Sequence, residues 1–155
     1  MVDRIMTNKT HTVDRTGWPK GEWDNEPDRV DFVYNGFSCM MIRAHGHWCG
    51  YVGVPNDHPM YEKDNGDIEL DVHGGVTYTA KCDATGVICH VPQIGMTDDV
   101  WWVGFDCHHF MDESPAMLAL HAEMKMNLPG ENGTYKNVEY VKAEIRSLAD
   151  QLKAM

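Results

Sequence analysis

Histidine and cysteine carry the most chemistry in this sequence. Nine His and five Cys are spread over 155 residues, clustered as His45-Gly46-His47-Trp48-Cys49, Cys89-His90 and Asp106-Cys107-His108-His109. Imidazole and thiolate bind Zn²⁺ in tetrahedral sets, and carboxylates join them at catalytic centres. On an extended segment His45 and His47 share a face, as two ligands need. If the fold brings in His73, Asp106 and His109, the candidate metal set is His47, His73, Asp106 and His109. Zn²⁺, Mn²⁺ or Fe held there would polarise a water for phosphoester hydrolysis. No CxxC pair and no HExxH accompanies these residues. The plainer alternative is loop histidines with cysteines packed as small apolar side chains. Cys107 with His73 or His109 would be the matching nucleophilic pair, but it needs a lowered thiol pKa, to which no local feature points. No Walker loop, GxSxG or GxGxxG occurs, which removes the commonest phosphate cradles and serine hydrolases.

A second candidate site rests on strand alternation, since successive side chains point to opposite faces. In VWWVGFD, Trp101, Val103 and Phe105 oppose Val100, Trp102, Gly104 and Asp106. Trp48, Val52 and Val54 oppose Cys49, Tyr51 and Gly53; Val72, Val76 and Tyr78 oppose His73, Gly75 and Thr77; Met40 and Ile42 oppose Cys39, Met41 and Arg43. With the first-named set of each strand taken as core, Arg43, Tyr51, His73, Thr77, Trp102 and Asp106 gather on one surface. Glycines at 53, 75 and 104 leave room beside them. Aromatic walls with a few polar pointers are how small-molecule sites are built. Tyr51 and Trp102 would stack a base, Arg43 would meet a phosphate through its planar fork, and His73 and Thr77 would bond ribose or phosphate. The competing expectation is an ordinary sheet face covered by the N-terminal arm.

The elements that must position these residues follow from turn chemistry and periodicity. Residues 1–29 are punctuated by Gly17, Pro19, Gly21 and Pro27 and read as an irregular arm; 30–155 read as a single α+β domain. Asn35-Gly36 between DFVY and FSCMMIR suits a two-residue hairpin turn. Short strands are expected at 48–54, 87–91 and 100–106, with a strand pair or bent strand over 68–81. Ser114 followed by Pro115 starts a short helix running to 125. Val138, Val141, Ile145, Leu148 and Leu152 repeat at spacings that make an amphipathic helix. The expected fold is therefore α+β: a mainly antiparallel sheet of short strands with the C-terminal helix packed on one face. The same apolar stripe could instead serve as a seam for a homo-oligomer.

Composition narrows the classes. Thirteen Lys+Arg against 24 Asp+Glu give a net charge of −11. A field of that sign repels nucleic-acid polymers and anionic membranes. No apolar run approaches the ~20 residues of a membrane span. The first residues lack the apolar core of an export signal. With an odd cysteine count, that suggests free thiols in a reducing, cytoplasmic compartment.

The segments CGYVGVPNDHPMY (49–61), VHGGVTY (72–78), ICHVP (88–92), DDVWWVGFDCHH (98–109) and YKNVEYVKAEIRSLADQL (135–152) resemble a family of small proteins from tailed phages and prophages. The resemblance covers most of the chain after the arm. The family has no established activity, so the resemblance implies context rather than chemistry: an accessory protein in the cytoplasm of a bacterial host. The doubled His108-His109 departs from the family, where a small residue is usual at the first position, which makes His109 the stronger functional candidate.

Together these observations favour a phage-encoded protein that binds a nucleotide-type small molecule, with sequestration of a host immune signal as one such task. The alternatives are a metal-dependent phosphoester hydrolase and a virion or host-protein interaction module. Whether a reaction is catalysed, and whether a divalent metal is a cofactor at all, stays open at this level.

Overall fold

Asn35 and Gly36 both take positive φ, at 52° and 84°, the conformation that lets a two-residue turn follow the twist of its strands. They join β2 (Arg29–Tyr34) to β3 (Phe37–Ala44), in the expected place. A second tight turn, His45-Gly46, joins β3 to β4 (His47–Pro55), and His45 also has positive φ, at 58°. The computed structural model describes residues 4–6, 11–66, 69–82, 87–89, 99–109, 112–124 and 134–155.

With β1 (Arg4–Met6), β5 (Tyr78–Lys81) and β6 (Val100–Asp106), these strands form a six-stranded antiparallel sheet in the order β1-β2-β3-β4-β6-β5. A short parallel pair joins β7 (Asp112–Glu113) to β8 (Thr134–Tyr135). The helices are α1 (Pro115–Met124) and α2 (Val138–Lys153), and the arm contributes a 3-10 turn at Glu22–Asn25. The architecture is the expected α+β one, and no helix among the described residues is long and apolar enough to cross a membrane.

Helix α2 begins where Asn137 accepts a hydrogen bond from the Tyr140 N–H, an N-cap that satisfies one orphan donor. Its apolar stripe covers one sheet face. Val141, Ile145, Leu148 and Leu152 are fully buried among Cys39, Met41, Val52, Val54, Val103 and Phe105. Each buried aliphatic side chain contributes on the order of 1.5–3 kcal/mol. Gly50 permits the close approach: a Cβ there would sit 2.6 Å from the Phe105 ring and 2.9 Å from Ile145. The stripe is thus buried within the chain, as expected for a helix packed on one sheet face.

The other face holds Met40, Ile42, Cys49, Tyr51, Val100 and Trp102 as a second buried cluster, with Tyr78, Cys82 and Ile88 packed against it. Residues 87–89, expected as part of a strand, are bends rather than strand; 90 and 91 lie outside the described residues. They form a strap fastened from below. Arg29 donates to the Val87 and Cys89 carbonyls at 2.5 and 2.8 Å, while Asp31 holds its guanidinium through Nε and Nη2 at 2.7 and 2.8 Å. Cys82 and Cys89 form a disulfide, and Cys39, Cys49 and Cys107 are free and buried. The expectation of entirely free thiols is corrected: the odd count leaves one pair plus three thiols rather than none paired.

The expected strand over 68–81 shrinks to β5. Gly74 and Gly75 have φ of 70° and 80°, and the Gly75 N–H bonds back to the Val72 carbonyl at 2.8 Å. The chain turns there, so His73 sits on a turn and strand alternation does not apply to it. Residue 68 lies outside the described residues.

Candidate functional site

The register of the β3–β4 ladder decides which predicted residues can meet. Met40 lies opposite Tyr51, Ile42 opposite Cys49, and Arg43 opposite Trp48. Directly opposed residues share a face. Met40 and Ile42 therefore accompany Tyr51 and Trp102, and Arg43 lies on the opposite, helix-covered face. The six residues proposed for one surface do not form one.

Arg43 is fully buried and committed to structure. Its Nε bonds Asp28 at 2.9 Å, Nη2 bonds Glu26 at 3.1 Å, and Nη1 bonds the Tyr135 hydroxyl at 2.9 Å. Its guanidinium lies 4.4 Å from the Trp48 ring centroid. Glu26 also accepts from the Tyr135 hydroxyl, and from the Val138 N–H at 2.8 Å, so the first turn of α2 is fixed to the same carboxylate. Burial alone would raise the Asp28 pKa, but bonds from the Val13 N–H, Arg15 and Arg43 outweigh it and hold the carboxyl below its ordinary value. Each charge is matched, as buried ions require.

Tyr51 and Trp102 do share a face, but neither offers an open ring. Trp102 is fully buried, with its indole N–H 3.3 Å from Cys82 Sγ. Tyr51 is 7% exposed and meets Tyr78 edge-on at 5.3 Å between centroids. Burial, with Cys49 beside it, pushes the Tyr51 phenol well above its ordinary value.

The remaining candidates converge at the end of the sheet that holds the β3–β4 turn and the end of β6. His47 stacks on His108 with ring centroids 4.5 Å apart, and His45 lies 6.5 Å from His47. Asp106 accepts from the His108 N–H at 3.1 Å and from the Thr77 hydroxyl at 3.1 Å. His109 Nε2 lies 3.1 Å from Asp106 Oδ1 but makes no aligned hydrogen bond; the nitrogen is buried against Gly74, where a Cβ would stand 2.2 Å from it. The rings of His109 and His73 are 5.9 Å apart.

Three residues that strand alternation did not single out complete this end. Asp112, from β7, accepts from His73 Nε2 at 2.7 Å and from the His109 N–H at 3.1 Å, and Lys136 Nζ lies 3.3 Å from its other oxygen. Tyr140, in the first turn of α2, places its hydroxyl 2.8 Å from His73 Nδ1. Lys136 Nζ sits 5.6 Å from the Tyr140 ring centroid. Burial would raise Asp112, but the bonds from His73, the His109 N–H and Lys136 bring its pKa below the ordinary carboxylate value. A firmly ionised Asp112 accepts a hydrogen bond from His73 Nε2–H. That leaves Nδ1 as an acceptor, so the Tyr140 O–H donates to it. The result is a carboxylate–imidazole–phenol chain.

No family model matches the chain, and neither the curated proteins nor the solved structures hold a match to it. The site must therefore be read from its own geometry.

For a metal, the donors are wrongly disposed. Among the described residues no three His, Cys, Asp or Glu side chains converge in a way that could hold an ion. Of the predicted set, His73, Asp106 and His109 are neighbours, but both nitrogens of His73 are engaged by Asp112 and Tyr140. His47 turns its ring onto His108 instead. Burial pushes the His47 pKa down to about 4, helped by His108 and opposed by Asp106. Cys107 is buried, and burial with Asp112 nearby raises its thiol pKa. That is the opposite of what a nucleophilic cysteine needs.

An open groove of about 540 Å³ lies beside the 70–76 loop, walled by Asn65, Glu69, Asp71, Val76 and Gln151. Gln151 braces that loop with paired bonds to the Asp71 N–H and carbonyl, at 2.8 and 2.7 Å. Its carboxylates make it unsuited to an anion.

Proposed function

We propose that the protein binds an anionic, nucleotide-type small molecule at the histidine-lined end of the sheet. The observation that carries this reading is the run of rings His45, His47, His108, His109, His73 and Tyr140 around two carboxylates that are already occupied. Asp112 is met by His73, Lys136 and a backbone N–H, and Asp106 by Thr77 and a backbone N–H. The groups left to greet a ligand are the imidazoles of His45, His47, His108 and His109, with the exposed rings of His45, His108 and Tyr140. Imidazole N–H groups suit phosphate oxygens, and flat exposed rings suit a base. A net charge of −11 disfavours a polymer far more than a single small anion held by a local patch.

On this reading Arg43, Tyr51 and Trp102 are framework, and His73, His109, Thr77 and Asp106 stay with the site. In a bacterial host infected by phage, such a protein would sequester a signalling nucleotide. Calorimetry against a panel of cyclic nucleotides and ADP-ribose derivatives tests the reading. Heat with at least one ligand, weakened at least about tenfold by His109→Ala, is the expected result; a change of ~1.4 kcal/mol is tenfold. Absence of heat across the panel at high protein concentration overturns it.

A further inference from the structure

We propose that Tyr140 is a nucleophile, activated by His73 and Asp112, that takes a phosphoryl group from a bound phosphate ester. For its substrate class this rests on the anionic-ligand reading above; for its chemistry it rests on the Asp112–His73–Tyr140 chain. The distances of 2.7 and 2.8 Å are those of two made hydrogen bonds. The order carboxylate, imidazole, hydroxyl is the arrangement by which a weak nucleophile is activated by an oriented base. Asp112 is the positioning residue: anchored by Lys136 and the His109 N–H, it fixes which His73 nitrogen carries the proton. Tyr140 is 37% exposed, so its side of α2 is open to a substrate.

Burial and nearby Glu144 keep the Tyr140 phenol above its ordinary pKa, so it is protonated at rest. His73 must then remove the proton during attack, as general base. The Tyr140 proton passes to His73 Nδ1, and the phenol oxygen bonds to phosphorus. The bond from phosphorus to the leaving oxygen breaks, and that oxygen takes the proton back from His73. The products are a phosphotyrosine and an alcohol. A chain that merely tied the 72–75 turn to α2 would need a bond between His73 and Tyr140. It would not need a second, ionised partner holding His73 in the acceptor tautomer.

An aryl sulfonyl fluoride tests the nucleophile without reference to any ligand. The phenol oxygen displaces fluoride from sulfur, and peptide mass spectrometry locates the adduct. Tyr61, whose hydroxyl donates to the Asp99 carboxylate with no imidazole involved, is the internal standard in the same molecule. We expect Tyr140 to be labelled at least about tenfold faster than Tyr61. That ratio should collapse in His73→Gln and in Asp112→Asn while the melting transition is kept. With p-nitrophenyl phosphate, the expected first-turnover release of nitrophenol matches phosphate gained at Tyr140 and is lost in Tyr140→Phe. Equal labelling of Tyr140 and Tyr61 in the unaltered protein overturns the proposal, whatever the variants do. Calorimetric binding that survives such a result leaves the ligand reading standing, so the two failures are distinct.

Discussion

Arg43 stands directly across the β3–β4 ladder from Trp48, with its guanidinium stacked on the indole and its forks on Glu26 and Asp28. This one placement decides that the arginine holds the molecule together instead of meeting a ligand. It gathers the arm, the sheet and the start of α2 around a single buried cation.

Arg43→Lys keeps the charge but loses the planar fork, and we expect it to cost about 2 kcal/mol. Removing the charge altogether, as in Arg43→Ala, takes the cation from Glu26, leaves Asp28 with Arg15 alone, and costs about 3–5 kcal/mol. Urea denaturation gives both values, and a loss under about 0.5 kcal/mol for Arg43→Ala would contradict the role assigned to it.

Gly50→Ala places a methyl where Phe105 and Ile145 already stand, at 2.6 and 2.9 Å. Overpacking of this kind costs about 1–3 kcal/mol. Gly66→Ala is the matched control, since nothing lies within 4 Å of its Cβ position. Thermal melts should separate the two variants clearly; equal melting temperatures would mean that α2 does not press on β4 as described.

Stability should fall in two stages on acidification. His47 has a folded pKa of about 4 against an ordinary 6.5. Below pH 6.5 the unfolded chain therefore takes up a proton that the folded chain refuses, and stability is lost until about pH 4. With the ring partly solvated, the loss is about 2 kcal/mol. Asp28 and Asp112 are depressed carboxylates. Their contribution is intact above the ordinary carboxylate range and disappears only as pH drops through their lowered values. His47→Gln should flatten denaturation midpoints between pH 6.5 and 4 and leave the lower stage unchanged. A variant with the same upper slope as the parent protein would rule His47 out as its source.

The elements marked by local chemistry were readable from sequence: the Asn35-Gly36 turn, the bounds of β6, the Ser114 cap of α1 and the apolar stripe of α2. Face parity was not, because it depends on where the β3–β4 turn falls. Once His45-Gly46 is taken as a two-residue turn, Ala44 must pair with His47 and Arg43 with Trp48. A histidine is a weak turn marker, since its positive φ is unusual for a side-chain-bearing residue. The metal set does not converge among the described residues for a related reason: His73, Asp106 and His109 are near one another, but the direction of each lone pair depends on partners elsewhere. Asp112 on β7 meets Lys136, just before α2, and Tyr140, in its first turn, only through the tertiary fold. No period or spacing could announce them. The Cys82–Cys89 pair was hidden by the odd cysteine count, which fits five free thiols as readily as one bridge and three thiols.

Alkylation counts the thiols. In denaturant without reductant, we expect three cysteines to react, and five after reduction, given the Cys82–Cys89 bond and free Cys39, Cys49 and Cys107. Closing so short a loop stabilises the fold by about 2–3 kcal/mol. Reduction should therefore lower the melting temperature and loosen the strap above Trp102, changing its fluorescence. Five reactive thiols in unreduced protein would remove the bond from the structure.

Among the described residues the sheet ends on both sides in its two shortest strands, β1 with three residues and β5 with four. A row of unpaired amides is a template for another chain, and its reach grows with its length. Here the long strands are interior, so little ladder is on offer to a neighbour. At high concentration, such blunt borders favour dispersed molecules over fibrils.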